Sequence, residues 1–362
     1  MKSALRRLSV RLSGCLFGWI ADQRVRAALG LILTLGVPTT VTSSSEAATL
    51  DAVKARDQLI CGINPNLPGF GQPDKEGAFK GFNADICHAV AAAVLGDASK
   101  VKFVPLTATI RFQALMSGEV DLLTHNSTWT MQRDTGAGLH FTGFTFFDGQ
   151  SFMVKKSAGI TSVTELGGAS VCTQQGSTSE LNAADFFRAH KLKYELVSFA
   201  SDDDAAKAFG DGRCDVLTSD TSALASARLK LADAENYVIL PELISKEPLG
   251  LVVRDGDDKW FDVVRWTLNA LIDAEELGVT KGNAVDEVKS PNPEVKRLLG
   301  VEGKFGSRIG LSEDWAMRAV QAGGNYGEIF ERNVGASSPL KLPRGMNALW
   351  SKGGILYAPP IR

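Results

Sequence analysis

Gly118-Glu-Val-Asp-Leu-Leu-Thr-His-Asn-Ser-Thr-Trp-Thr-Met-Gln-Arg133 is the stretch that decides how the chain is read. A glycine that stops a helix leads into a short apolar strand, Val120 to Leu123. A loop rich in hydroxyls and amides follows and ends on Arg133. A buried strand that delivers polar groups and a guanidinium at its C-terminal end is where an open α/β sheet binds ligands. The first half recurs downstream: Gly118-Glu-Val-Asp-Leu-Leu-Thr124 is echoed by Gly212-Arg-Cys-Asp-Val-Leu-Thr218. The second copy leads to Ser219-Asp220-Thr221 instead of an arginine. One copy ends in a fixed cation and the other in a carboxylate. A ligand held between them carries an anionic and a cationic group, and an α-amino acid is the simplest such molecule.

The bulk numbers set bounds around that stretch. With 362 residues, 44% hydrophobic and 22% charged, the chain has the size for two domains and the composition of a soluble globular protein. Its first 48 residues hold six basic and two acidic side chains, a net of +4 that leaves about −6 on the rest. That balance argues against a nucleic-acid binder and against a polybasic membrane surface. Ala27 to Val37 is an apolar run behind a basic segment, with Ser45-Glu46-Ala47 as a small-x-small cleavage motif. Residues 1–48 therefore read as a secretory signal peptide, the run being short for a membrane span. Four cysteines remain after cleavage: Cys61, Cys87, Cys172 and Cys214. An even count in an exported chain favours disulfides. Three pairings are possible; the spacing favours Cys61–Cys87 and Cys172–Cys214, one in each half. Four histidines and no CxxC make a metal site an unsupported expectation, and no cofactor motif is present.

Taken in order, the chain predicts a helical lead-in over Leu50–Gln58, a strand at Leu59–Ile63 and a loop holding Phe70. A hairpin turn at 77–81 and a helix to Leu95 come next, then a strand at Val101–Val104 and a helix bearing Phe112, Leu115 and Met116. This β-α-β-α-β order implies a parallel sheet. Gln150 to Val154 leaves the first lobe as an extended segment. A second β/α set follows, with strands at 169–173, 194–199, 215–218 and 237–240. Glu247 to Val253 is the expected return crossing. Lys259 to Leu277 is an amphipathic helix, and from about Asn283 to Arg362 the pattern is helix and turn, expected to pack on the first lobe. The expected lobes are 49–149 with 253–362, and 150–252.

Residues with chemistry follow from this layout. Arg133 suits bidentate binding of a carboxylate, though an exposed arginine at a helix start is the plain alternative. Thr128 and Asn126 lie on the same loop as hydrogen-bonding groups, or as ordinary loop chemistry. Ser177 with Glu180 forms a capping box at a helix N-terminus, where Ser177 and Thr178 can also help hold an anion. Asp220 can hold an ammonium or simply cap a loop. Phe70 and Trp129 are candidates to cover the ligand, or are core aromatics. Arg111, on the helix before the repeat, can reach the same cleft.

Taken together, Ile60-Cys-Gly-Ile-Asn-Pro, Gly81-Phe-Asn-Ala-Asp, Arg111-Phe-Gln-Ala-Leu-Met-Ser-Gly-Glu-Val-Asp and Asn126-Ser-Thr-Trp-Thr form a pattern, extended by Gln174-Gln-Gly-Ser-Thr-Ser-Glu-Leu-Asn, Ile244-Ser-Lys-Glu-Pro-Leu-Gly and Gly324-Asn-Tyr-Gly-Glu-Ile-Phe-Glu-Arg-Asn. The chain resembles a periplasmic amino-acid-binding protein of an ABC transporter, a family-3 extracellular solute-binding protein of the general L-amino-acid-binding group. The resemblance spans nearly everything after the signal peptide. It implies an α/β, two-lobed periplasmic-binding-protein-like type II fold, each lobe a mixed, mostly parallel sheet flanked by helices, with two hinge crossings and a helical C-terminal extension. It implies that Arg133 and Thr128 take the α-carboxylate with help from Ser177 and Thr178, that Asp220 takes the α-ammonium, and that Arg111 meets an acidic side chain. The expected partners are an L-amino acid and ABC permease membrane subunits, with a monomeric periplasmic protein and no catalysis. A secreted arogenate or prephenate dehydratase on the same fold is the alternative, with Glu180 as the candidate acid.

Overall fold

The computed structural model describes residues 48–136 and 138–362. The expected signal peptide up to residue 47, with its cleavage motif, lies outside the described residues. The first part of the chain runs α1 (Thr49–Arg56), β1 (Leu59–Ile63), a hairpin of β2 (Gln72–Pro73) and β3 (Phe79–Lys80), then α2 (Phe82–Leu95) and β4 (Val101–Pro105). It continues through α3 (Arg111–Met116), β5 (Leu122–Thr128), α4 (Met131–Gly136) and β6 (Leu139–Asp148). The second part holds β7 (Gln150–Lys155), β8 (Ser170–Gln174), α5 (Thr178–Ala189), β9 (Glu195–Phe199), α6 (Asp202–Gly210), β10 (Val216–Asp220), α7 (Thr221–Arg228) and β11 (Tyr237–Ile239). The chain then returns with β12 (Glu247–Arg254), followed by α8 (Asp258–Glu276), α9 (Pro293–Leu298), α10 (Phe305–Arg308), α11 (Trp315–Gly323) and α12 (Tyr326–Asn333).

Two five-stranded sheets result. The first has the order β4-β1-β5-β12-β6 and the second β11-β7-β10-β8-β9. In the first, β12 runs against both of its neighbours, and in the second β7 does. The other strands of each sheet share one direction. The sheets are therefore mixed and mostly parallel, and the strand that breaks the β-α-β order is the one that has just crossed between them. Glu247–Arg254 is one of these: it pairs with β5 and β6 along its length, so the return crossing ends before Glu247.

Both faces of each sheet are covered, which is why their strands are apolar runs. β1 is almost wholly buried. In the first sheet, α2, α8 and the C-terminal helices enclose one core around Phe70, Phe82, Trp260, Trp315 and Phe330. α3 covers the other face with Leu115 over Val120, Leu123 and Phe141. Met116, expected to face inward, is 47% exposed; Arg111, Ala114 and Leu115 are the buried residues of α3. α8 is the main buttress: Trp260, Val263, Val264, Leu268 and Leu271 are buried on its inner face. Trp260 also donates from Nε1 to the Asp121 carbonyl at 2.8 Å, tying the helix to the start of β5. Trp260→Ala is expected to cost about 3–5 kcal/mol through lost burial and a cavity.

The second sheet is enclosed by α6 and α7 on one side and α5 on the other. Leu181 on α5 is 60% exposed; Phe186 and Phe187 make that helix's core contacts. One disulfide staples each half: Cys61–Cys87 joins β1 to α2 with a Cα separation of 6.4 Å, and Cys172–Cys214 ties β8 to the start of β10 at 5.7 Å.

Candidate functional site

The C-terminal ends of β1, β5, β8 and β10 face one another across a polar cleft. It is lined by Arg111, His125, Asn126, Thr128 and Arg133 from the first half, and by Ser177, Thr178, Asp202, Ser219 and Asp220 from the second. Seven of the nine predicted binding residues are brought together here. Phe70 and Trp129 are not. Phe70 is fully buried in the first core against Phe82 and Phe146. Trp129 stacks on Phe141 with centroids 5.4 Å apart and lines a separate aromatic groove. Both aromatics serve packing because apolar rings gain more from a core than from a cleft this polar.

The first half supplies a cationic pole. β5 does not end at Leu123 as its hydropathy implied; it continues as a buried strand to Thr128. Most of its polar side chains find partners inside, although the buried Ser127 Oγ has none. His125 Nε2 donates to the Leu106 carbonyl at 2.7 Å, and Asn126, at φ 47°, receives the Asn83 amide at its side-chain oxygen. Arg133, in α4, donates to the Thr128 carbonyl at 2.9 Å. Its guanidinium and that of Arg111 both pack over the Phe112 ring, 5.2 and 4.6 Å from its centroid. Arg111 is buried and its Nε has no partner. Burial, then the nearby Arg133 charge, pulls its pKa down to about 9, with Asp202 and Asp220 opposing. Burial also lowers Arg133. His125 is pushed down to about 3, mainly by burial and then by Arg111, so the imidazole is neutral. With Nε2 donating, Nδ1 is an acceptor, and it has no partner.

The second half supplies the anionic pole. Asp220 ends β10 and takes the N-cap position of α7, yet its side chain makes no capping bond. Its carboxylate remains available to the cleft. Burial lifts its pKa well above the ordinary value, and Asp148, Glu247 and Asp202 push the same way against Arg133. Asp148 lies behind it, held by Gly149 N at 2.8 Å, Ser222 N at 3.2 Å and the Thr221 hydroxyl. Ser177 caps α5 by accepting from Glu180 N at 3.3 Å. The Glu180 carboxylate reaches Gly176 N at 3.1 Å and the Ser198 hydroxyl at 2.6 Å, which commits it to loop structure outside the cleft. Gly176 has φ 74°, and a Cβ there would lie 3.1 Å from Thr109 of the first half, so the two halves touch at this turn.

Two cleft features escaped the sequence reading. Asp202, half-buried at the head of α6, accepts from the Asn64 amide of the first half at 2.8 Å. It sits in an Asp202-Asp-Asp run that reads as ordinary first-turn charge. Glu247, 1% exposed, receives four donors: Thr128 and Ser245 at 2.6 Å, Asn182 at 2.6 Å and Thr178 at 2.9 Å. It fastens β5 to α5 where β12 begins. Both threonine hydroxyls reach the same Glu247 oxygen, and they lie 3.2 Å from each other. A single glutamate before a proline carries no sequence signal for this role.

Residues 59–281 match the sequence profile of the bacterial extracellular solute-binding proteins, family 3. The chain belongs to that family. This solute-binding protein is 55% identical over 89% of its length to the glutamate/glutamine/aspartate/asparagine-binding protein BztA of Rhodobacter capsulatus, covering 96% of it. It is 52% identical over 94% of its length to the general L-amino acid-binding periplasmic protein AapJ of Rhizobium johnstonii, covering 99% of it. Among solved structures it resembles a periplasmic binding protein from Brucella ovis with glutathione bound, at 53% identity and a TM-score of 0.86, over 87% of this chain and all of that one. The two-lobed architecture is that of these periplasmic binding proteins.

Proposed function

We propose that this protein is the periplasmic receptor of an ABC importer, capturing L-amino acids between its two lobes and presenting them to membrane permease subunits. One observation carries the reading: Arg133 and Asp220 face the same cleft from opposite lobes, and Asp220 has no structural partner of its own. Arg133, with the free N–H groups of Thr178 and Ser179 at the start of α5, takes the α-carboxylate. Asp220 takes the α-ammonium, which relieves its burial beside Asp148. The hydroxyls of Thr128 and Thr178 act through Glu247, holding the two lobes in register rather than donating to ligand. Arg111, the unpartnered His125 Nδ1 and Asp202 face the side chain, a set that accommodates carboxylate and amide groups.

The relatives' names agree with a broad range of amino acids, BztA for acidic residues and their amides and AapJ for L-amino acids in general. The cleft encloses about 40 Å3, room for a few waters, so a ligand enters when the lobes part at the two crossings near Gly149 and Ser245. Residues 1–48 act as the export signal, and the mature chain works as a monomer. The test is titration calorimetry of protein stripped of ligand by unfolding and refolding, against a panel of L-amino acids. Tight binding of several chemically different side chains supports the reading. No binding to any, with turnover of prephenate or arogenate, supports the enzyme alternative instead.

A further inference from the structure

Far from the cleft, α8, α9 and the C-terminal tail enclose a second cavity of about 170 Å3. Asp273 lines it, a residue only 8% exposed whose Oδ2 has no hydrogen-bond partner. Glu276, which accepts from Trp350 Nε1 at 3.2 Å, and Glu294, paired with Arg362 at 3.1 Å, add two more carboxylates to the wall. Trp350 and Tyr357, 52% and 71% exposed, also line it, with their rings edge to face, 5.6 Å apart. Arg297 also lines the cavity, but its Nε is committed to the Ile361 carbonyl at 3.0 Å and it leans toward Glu294. Among the described residues no cation therefore pairs with Asp273. Burial first, then Glu276 and Glu294, raises the Asp273 pKa to about 7, so its ionised form is held against an unfavourable field. Among the described residues no group of acidic, histidine or cysteine side chains is arranged to hold a metal ion, so the carboxylates are too spread for one. Spread carboxylates with aromatic walls suit an organic cation, whose charge is met at Asp273 and whose stem lies against the rings.

We propose that this cavity binds a primary ammonium group on an aliphatic stem, with Asp273 as its counter-ion and Trp350 and Tyr357 as its walls. Much of the wall comes from residues beyond 281, outside the span matched by the family profile, so the C-terminal extension completes a site whose counter-ion, Asp273, lies within that span. The group reaches it as a free diamine or as a lysine side chain of a partner protein. Saturation-transfer NMR with 1,5-diaminopentane and with Nα-acetyl-lysine N-methylamide distinguishes the two. Neither probe offers both a free α-carboxylate and a free α-ammonium, and a saturating L-amino acid in each experiment keeps them out of the cleft. Transfer to the diamine alone assigns a free amine, and comparable transfer to the lysine amide assigns a protein side chain. In either case Asp273→Asn and Glu276→Gln are expected to weaken binding at least about tenfold. Amino-acid binding in the cleft stays unchanged in both variants, which shows that they fold and keeps this inference separate from the transport reading. No transfer to either probe, or equal transfer in Asp273→Asn, overturns the proposal.

Discussion

β5 and β10 begin alike and end differently. Each is the central strand of its sheet, parallel to one neighbour and antiparallel to the other. Each follows a helix closed by a left-handed glycine, Gly118 at φ 77° and Gly212 at φ 80°. The aspartate of each copy does the same work. Asp121 accepts from Ile60 N at 2.8 Å on β1, and Asp215 accepts from Ser170 N at 2.9 Å on β8. The shared letters thus pin each central strand to its parallel neighbour. The letters that differ set the chemistry: β5 runs on to Thr128 and leads to Arg133, whereas β10 stops at Asp220. Repetition builds two equivalent frames, and divergence at their ends gives the cleft opposite charges.

Substitutions at the divergent ends and in the shared starts separate these roles. The largest effect is expected for Asp220→Ala, which removes the ammonium partner. Calorimetry is expected to show amino-acid affinity reduced at least about 100-fold with the fold intact by circular dichroism. Unchanged titration heat there removes the anionic pole from the account. Arg133→Lys keeps the charge but loses the planar fork, so a loss of about 10- to 100-fold in affinity is expected. Asp121→Asn acts on the shared part. It is expected to lower stability by about 1–3 kcal/mol in denaturant unfolding and leave affinity almost unchanged. Asp215→Asn, more exposed, should do the same by a smaller amount.

The smallest effect concerns pH. Asp220 and Asp273 hold their protons more tightly folded than unfolded, Asp273 up to about 7 against an ordinary 3.8. These aspartates bind more protons folded than unfolded, so their contribution to the stability of the unliganded protein falls as pH rises, most cleanly between about 6.5 and 7, above the range where His125 contributes with the opposite sign. Asp148 and Asp202 shift in the same direction. Saturating amino acid is expected to cancel the Asp220 part alone, as a shallower slope of melting temperature against pH.

Much of this frame is legible in the residues themselves. Alternating β and α patterns, glycine stops and apolar strands locate most elements, because burial on both sheet faces leaves a continuous hydrophobic signature. The cysteine spacing agrees with the disulfides that form. The repeat points to the cleft because its two ends differ in charge. What stays hidden has physical causes. Thr124–Thr128 reads as loop because most of its polar side chains find partners inside the fold, such as the Leu106 carbonyl for His125. Phe70 and Trp129 show that an aromatic carries the same letter in a core and over a ligand. Glu247 gains its role only when segments distant in sequence, those of Thr128 and Thr178, converge on it. Asp202 is masked by its acidic neighbours.

The claim that the cleft grips the constant part of an amino acid is tested most directly by three calorimetric titrations on refolded protein. They use the tightest-binding L-amino acid, its analogue without the α-ammonium and its analogue without the α-carboxylate. The account predicts that each analogue binds at least about 100-fold more weakly, one through loss of Asp220 and the other through loss of Arg133. An analogue that binds as tightly as the parent would contradict it.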